Sequence, residues 1–194
     1  MRRPFIIGLP APRRGGVDCL LVQRTKLSAT KKEQARSRAL CDALGSLGYP
    51  GLQSLAEDEE DAVQHDPAVV LLAALSCDHV DERVVEALPW LVMSFENLDW
   101  EWIIREARRR SAQNRLGYIV CLALRVSAGA EGSLEQLARL SSVEERLFEY
   151  RLDKEDTLCR KVPDAERKWL RDARPAEARQ WNLLTDLRAK DLSY

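Results

Sequence analysis

The chain has 194 residues, of which 45% are hydrophobic, and its formal net charge is -1. This length and composition suit one domain of ordinary size with a hydrophobic core, and they exclude a mostly disordered protein. The longest uncharged apolar run, residues 67–77, is far shorter than the roughly 20 residues that a transmembrane helix needs. Because the basic N-terminus also lacks the apolar stretch of a signal peptide, the sequence predicts a soluble cytoplasmic protein.

Charged side chains are segregated along the chain. Residues 1–40 contain ten Lys or Arg and two acidic residues, whereas residues 41–99 contain one Arg and thirteen acidic residues. This asymmetry predicts a basic arm or face that meets nucleic acid, a protein partner or the chain's own acidic segment. Pairing within the molecule, together with solvation, is the alternative explanation.

The chemistry-bearing residues form no recognisable catalytic or metal motif. The five cysteines are scattered, so we interpret them as reduced and mostly buried thiols, and we predict no metal site and no cofactor. The only histidines, His65 and His79, accompany no G-x-S-x-G, P-loop, G-x-G-x-x-G or H-E-x-x-H motif. We therefore predict that the protein is not an enzyme, with carboxylate catalysis as the alternative that sequence spacing leaves open.

The predicted fold is mainly α, a compact bundle of short helices. Residues 1–27 are predicted to be an irregular basic arm, because prolines and glycines interrupt the arginines. Two apolar runs in this arm, residues 5–7 and 19–22, either pair as a short hairpin or dock on the body. Residues 28–126 form the predicted helical body, 127–132 a linker, and 133–194 a helical C-terminal layer packed into the same domain.

Local capping patterns predict where several helices begin. Thr30 with Glu33 is a capping box, which predicts a helix from about Lys31 to Leu47. Asp66 followed by Pro67 predicts the start of an apolar helix that is central to the core, and Asp81 predicts the next start. Between these helices, the five consecutive acidic residues 57–61 are predicted to be exposed.

Two consecutive helices near the middle of the chain are predicted to anchor it. Asp99 caps the first, and the arginines at its far end complement the helix dipole. Gly117 lies within the apolar face of the second, where it costs on the order of 1 kcal/mol relative to alanine. A glycine there predicts close approach of another helix.

The C-terminal layer is predicted to contain three helices. Ser133 and Gln136 form a second capping box, which begins a long amphipathic helix that packs on one side only. Asp164 is predicted to cap a short helix, and Pro175 to begin a last helix that extends to Leu187. The tryptophans of these helices, Trp169 and Trp181, are predicted to face the core.

The segment from Leu98-Asp99-Trp100 to Arg115-Leu116-Gly117-Tyr118 resembles the C-terminal segment of AbiEi-type (abortive infection) antitoxins, in which a Leu-Asp helix precedes an Arg-Leu-Gly-aromatic helix. It covers about 25 residues of the chain. The resemblance implies a bacterial regulator or antitoxin of a defence or toxin system, and it brings no catalytic residues.

Function is therefore predicted to lie in binding. The leading hypothesis is a non-enzymatic helical subunit that binds another protein through amphipathic faces and segregated charge. The alternative is a protein that binds DNA or RNA, and its candidate phosphate contacts are Arg2, Arg3, Arg13, Arg14, Arg24, Lys26, Lys31, Lys32, Arg36, Arg38, Arg108, Arg109 and Arg110.

Overall fold

The computed structural model describes residues 29–52, 65–130, 133–192 and 194. This part of the chain is mainly helical, which confirms the predicted fold class. The helices are α1 (Lys31–Ser46), α2 (Pro67–Leu75), α3 (Glu82–Ser94), α4 (Trp100–Arg109), α5 (Gln113–Gly129), α6 (Leu134–Glu149), α7 (Asp164–Ala173) and α8 (Ala176–Gln180). The predicted arm and its hairpin, as well as the acidic run 57–61, lie outside the described residues.

The capping patterns place most helix starts correctly. The Thr30 and Glu33 side chains form the reciprocal capping box of α1. Asp66, Asp81 and Asp99 each accept a backbone N–H at the starts of α2, α3 and α4. These side chains satisfy amide groups that the first helical turn leaves without a partner, so the start of a helix is decided locally.

The helix at the centre of the core is α5. Its residues from Gln113 to Ala123 are buried on all sides, and it packs against α3, α4, α6 and α8. Helix α2 is apolar and lies in the core, as predicted, with six of its nine residues buried, although Val69 is half exposed on its outer side. Helix α6 packs along one side only, as its amphipathic pattern predicts, with Leu140, Val143 and Leu147 buried.

The prediction that a linker begins at residue 127 was wrong, because α5 continues to Gly129 and the Ser127 side chain is buried.

The second predicted capping box, at the start of α6, is half formed. Ser133 accepts the Gln136 N–H, but the Gln136 amide instead donates to the Met93 carbonyl oxygen at 3.0 Å. That bond ties α6 to the end of α3.

The C-terminal layer also differs from its prediction. Asp164 is the first residue of α7 and makes no capping bond, since Pro163 precedes the helix. The last helix ends at Gln180, and Leu183–Leu184 then pairs in parallel with Asp156–Thr157 as strands β2 and β1. This pairing follows a turn at Asn182, whose φ of 52° leaves the helical region.

The two C-terminal tryptophans have different surroundings. Trp181 is fully buried, as predicted, whereas Trp169 is 44% exposed, so its predicted core position was wrong. Helix α7 is only 10 residues long, and its buried face consists of Glu166 and Leu170. Trp169 lies outside that face.

Candidate binding surfaces

The predicted basic residues of α1 form an exposed group. Lys31, Lys32, Arg36 and Arg38 are all exposed. Lys31 and Arg38 lie opposite the buried Leu40, Ala43 and Leu44, whereas Lys32 and Arg36 lie on the same side as these residues, nearer the start of α1. Within the described ranges, none of the four is within ion-pair distance of a carboxylate. We call these four residues the α1 basic group.

The second predicted basic group, Arg108, Arg109 and Arg110, lies at the C-terminal end of α4. Arg109 and Arg110 both pair with Glu106, at 3.2 and 3.3 Å. The Arg108 guanidinium instead lies 3.8 Å from the centroid of the Tyr150 ring. Because α1 packs on α2 and α3 whereas α4 packs on α2 and α5, the two basic groups belong to different parts of the bundle. The other candidates, Arg2, Arg3, Arg13, Arg14, Arg24 and Lys26, lie outside the described residues.

An aromatic surface that the sequence did not predict lies at the end of α6. Phe148 and Tyr150 are 42% and 37% exposed. Each ring is stacked by an arginine, Tyr150 by Arg108 and Phe148 by Arg151, whose guanidinium lies 4.9 Å from the ring centroid. We call Arg108, Phe148, Tyr150 and Arg151 the α6-end surface.

Buried neighbours fix the α6-end surface in place. The Phe148 ring meets Trp181 edge-on, with the centroids 5.7 Å apart. The Tyr150 carbonyl oxygen accepts a hydrogen bond from the Gln113 amide at 3.1 Å, and Arg151 donates to the Gln180 carbonyl oxygen at 2.8 Å. The surface therefore depends on α4, α5, α6 and the end of α8 together. The only sequence signal was that Phe148 lies off the apolar stripe of α6.

A cleft of about 640 Å³ lies between α1, the start of α3 and the segment before α7. Its charged side chains have both signs, and some of them pair with each other, as Arg160 does with Glu166 at 2.8 Å. At its α1 edge, Lys161 pairs with Glu33 at 2.6 Å. Burial raises the pKa of the Cys41 thiol in this cleft. Since the thiolate is the reactive form, Cys41 is not activated as a nucleophile.

Three residues on which the predicted resemblance depends, Arg115, Gly117 and Tyr118, make structural contacts in this chain. The Arg115 guanidinium makes two bonds to the Asp156 carboxylate, at 2.7 and 3.0 Å, and donates to the carbonyl oxygens of Leu75 and Cys77. The face of Gly117 is covered by the Trp181 indole. Tyr118 donates its hydroxyl to the Leu187 carbonyl oxygen at 2.5 Å. These three residues hold the C-terminal layer against α5.

The described residues contain no group of three or more His, Cys, Asp or Glu side chains arranged to hold a metal ion. In the same part of the chain, no helix is both long enough and apolar enough to span a membrane.

Comparisons with protein-family models, with characterised proteins and with solved structures found no match to this chain.

Proposed function

We propose that the protein is a non-enzymatic helical subunit that binds another protein through the α6-end surface. The observation that carries this proposal is the partial exposure of Phe148 and Tyr150 beside two arginines. Tyr, Phe and Arg are enriched at the centres of protein interfaces, where rings supply contact area and arginines supply directed hydrogen bonds. The stacked arginines also hold the rings in fixed positions, which lowers the entropic cost of binding.

The charges and rings of the α6-end surface indicate what kind of partner surface would complement it. Arg108 and Arg151 border the rings, and Arg146, 40% exposed and paired with Glu101, lies one turn earlier on α6. An acidic partner surface with an apolar centre complements this arrangement. The resemblance of residues 98–118 to AbiEi-type antitoxins supports a regulator of a bacterial defence or toxin system, acting in the cytoplasm, as the cellular role.

The test compares partner capture by variants of the full chain. Arg108→Glu together with Tyr150→Ser removes the stacked pair, and Leu134→Ser is the matched control, because Leu134 is 86% exposed at the opposite end of α6. Quantitative mass spectrometry identifies any stoichiometric partner, and its affinity is then measured with purified proteins. We expect about tenfold weaker binding for the double variant and parent-like binding for the control. Equal affinities of the two variants would contradict the proposal.

Nucleic-acid binding is a second candidate because the α1 basic group is exposed and has no carboxylate partner in the described part of the chain. Four such cations can each neutralise a phosphate, and each neutralised phosphate of duplex DNA steepens the salt dependence by about 0.9. The six basic residues of the arm would add to this electrostatic attraction. Arg109 and Arg110 contribute less, because Glu106 already pairs with both.

A salt titration distinguishes this candidate from protein binding. The full chain and a variant with Lys31, Lys32, Arg36 and Arg38 all changed to Gln are titrated with duplex and single-stranded DNA and RNA. If α1 contacts phosphates, the variant loses affinity at low salt and its salt slope falls by about 0.9 per lost contact on duplex. An unchanged slope would exclude α1 as the contact.

A further inference from the structure

The side of α6 that faces away from the core combines an exposed leucine with unpaired carboxylates. Leu134 is 86% exposed, and the small side chains of Ala138 and Ser142 continue this side along the helix. Three carboxylates on the same side are exposed and form no ion pair with any described residue: Glu135, Glu145 and Glu149. We call these six residues the α6 outer face.

The two arginines of α6 do not neutralise the α6 outer face. Arg139 donates to the Glu96 carbonyl oxygen in the segment after α3, and Arg146 pairs with the Glu101 carboxylate of α4 at 2.6 Å. Both guanidinium groups are therefore engaged with neighbouring segments. The α6 outer face is left with three negative charges, so it complements a basic helix.

Helix α1 has the complementary shape and charge. The four cations of the α1 basic group lie on two sides of the helix, and the exposed Ala35 and Ala39 lie between those two sides. The alanines leave room for another helix to approach closely. The longer cations can then reach the approaching helix from both sides.

The two complementary faces belong to separate parts of one molecule. Helix α1 packs on α2 and α3, whereas α6 packs on α5, and within the described ranges no ion pair joins α1 to α6. Each of the two helices has 16 residues, which is a length of about 24 Å. Faces of matched length and opposite charge that do not meet within one molecule can meet between two copies.

We propose that α1 of one molecule docks on the α6 outer face of a second copy of this chain, with the two helices antiparallel. In this direction Lys31 lies near Glu145, and Arg38 lies near Glu135. Lys31 and Arg38 are about 10 Å apart along α1, whereas Glu135 and Glu145 are about 15 Å apart along α6, a difference that long side chains bridge. The same register brings Leu134 onto the exposed Ala39.

The contact forms a dimer if it occurs twice between the same two chains, and a larger assembly if each chain contacts two neighbours. A single pair of short helices is a small interface, so the self-association is weak and depends on salt. While α1 is docked, its cations are withheld from nucleic acid. The contact uses no residue of the α6-end surface, so it stands independently of partner binding there.

Analytical ultracentrifugation of the full chain tests the self-association. The parent is measured from about 10 μM to about 1 mM protein, at about 50 mM and about 500 mM salt. We expect the average mass to rise with protein concentration at low salt and to fall towards that of the monomer at high salt. A parent that stays monomeric throughout, or an association that salt does not weaken, would overturn the proposal.

Charge reversal identifies the two faces. Lys31→Glu with Arg38→Glu reverses the contact on α1, and Glu135→Lys with Glu145→Lys reverses it on α6. We expect each double variant alone to associate about tenfold more weakly than the parent, since two exposed ion pairs become repulsive. Mixing the two double variants restores contacts between opposite charges, so the mixture should associate more strongly than either variant alone.

The matched control is Lys168→Glu with Arg179→Glu, on α7 and α8. Both side chains are exposed, and these changes alter the net charge by the same amount as the double change in α1. The control should associate like the parent, and circular dichroism checks that every variant is folded. The proposal fails if the control is weakened as much as the α1 variant, or if the mixture associates no more strongly than its components.

Discussion

Gly117 lies where the Trp181 indole packs directly onto the backbone of α5. A Cβ atom at this position would lie 2.2 to 2.5 Å from three indole carbons, well inside any permitted contact. Trp181 is fully buried, so the ring has little freedom to move aside. Gly117 therefore allows a neighbouring group to pack closely against α5, as its position in the apolar face predicts. That neighbour is a tryptophan ring and not the backbone of another helix.

Gly117→Ala should destabilise the protein although alanine is the better helix former. Overpacking costs about 1–3 kcal/mol, and we expect this site to lie at the upper end, beyond the gain of about 1 kcal/mol in helix propensity. The control is Gly129→Ala near the end of the same helix, where the added Cβ meets nothing within 4 Å. Urea unfolding should show the control equal to the parent or slightly more stable. Similar stabilities for the two variants would show that Trp181 does not pack on Gly117.

Arg115 is a charged side chain only 10% exposed, and it depends on its partners. Asp156→Asn keeps the shape of the partner but removes its charge, so we expect a loss of about 1.5–3 kcal/mol in the free energy of unfolding. The control, Glu101→Gln, breaks the exposed pair with Arg146 and should cost less than about 1 kcal/mol. Both are measured by urea unfolding at neutral pH. A loss for Asp156→Asn no larger than the control's would mean that Arg115 does not depend on the pair.

At the scale of elements, one carboxylate of α1 both caps its own helix and joins it to the segment before α7. The Glu33 carboxylate accepts hydrogen bonds from Lys161 and from the Thr30 amide and hydroxyl, which lower its pKa from 4.5 to about 2. A lowered pKa stabilises the folded state fully above pH 4.5, and this contribution disappears as the pH falls towards 2. The contact with Lys161 joins α1 to the segment before α7.

Glu33→Gln should therefore lower the melting temperature at pH 7, and the difference from the parent should shrink as the pH falls from 4.5 to 2. Thermal unfolding followed by circular dichroism over this range measures it. Glu145→Gln removes an exposed carboxylate that pairs with no described residue, and it should melt like the parent at every pH. A difference between Glu33→Gln and the parent that stays constant with pH would contradict the role given to Glu33.

The helix starts were predictable because they are set within a few residues. Thr30, Asp66, Asp81 and Asp99 each bond to an amide two or three positions ahead, so sequence alone contains the whole interaction. The helix ends in the C-terminal layer were not predictable in this way. The last helix stops at Gln180 because the chain turns to pair β2 with β1, a contact between residues far apart in the sequence.

The binding surfaces were predictable only in part, for the same reason. The exposure of Lys31 and Arg38 follows from the helical spacing of Leu40, Ala43 and Leu44, which lie on the opposite side of α1. The α6-end surface, by contrast, combines Arg108 with residues 40 to 43 positions later in the sequence. No periodicity within one helix reports which arginine will stack on Tyr150.

At the scale of the whole molecule, one short stretch of α5 makes several hydrogen bonds to the part of the C-terminal layer that follows α6. Gln113, Asn114, Arg115 and Tyr118 all bond to residues beyond α6, and Asn114 both donates to the Leu152 carbonyl oxygen at 2.9 Å and accepts its N–H at 2.8 Å. Because Phe148 and Arg151 of the α6-end surface contact Trp181 and Gln180, that surface exists only while the layer is docked. The binding that we propose through the α6-end surface would therefore require the body and the layer to fold as one unit.

Native-state hydrogen exchange of the full chain measures this requirement directly. The informative amides are those of Leu152, bonded to Asn114, and of Asp156, bonded to the Asn182 carbonyl oxygen at 3.0 Å, with the amide of Leu122 in α5 as the reference. We predict that the opening free energies of all three amides equal the free energy of global unfolding. In Gly117→Ala, all three opening free energies should fall by the same amount. Rapid exchange at Leu152 and Asp156 while Leu122 stays protected would show that the layer undocks alone, and would contradict the account.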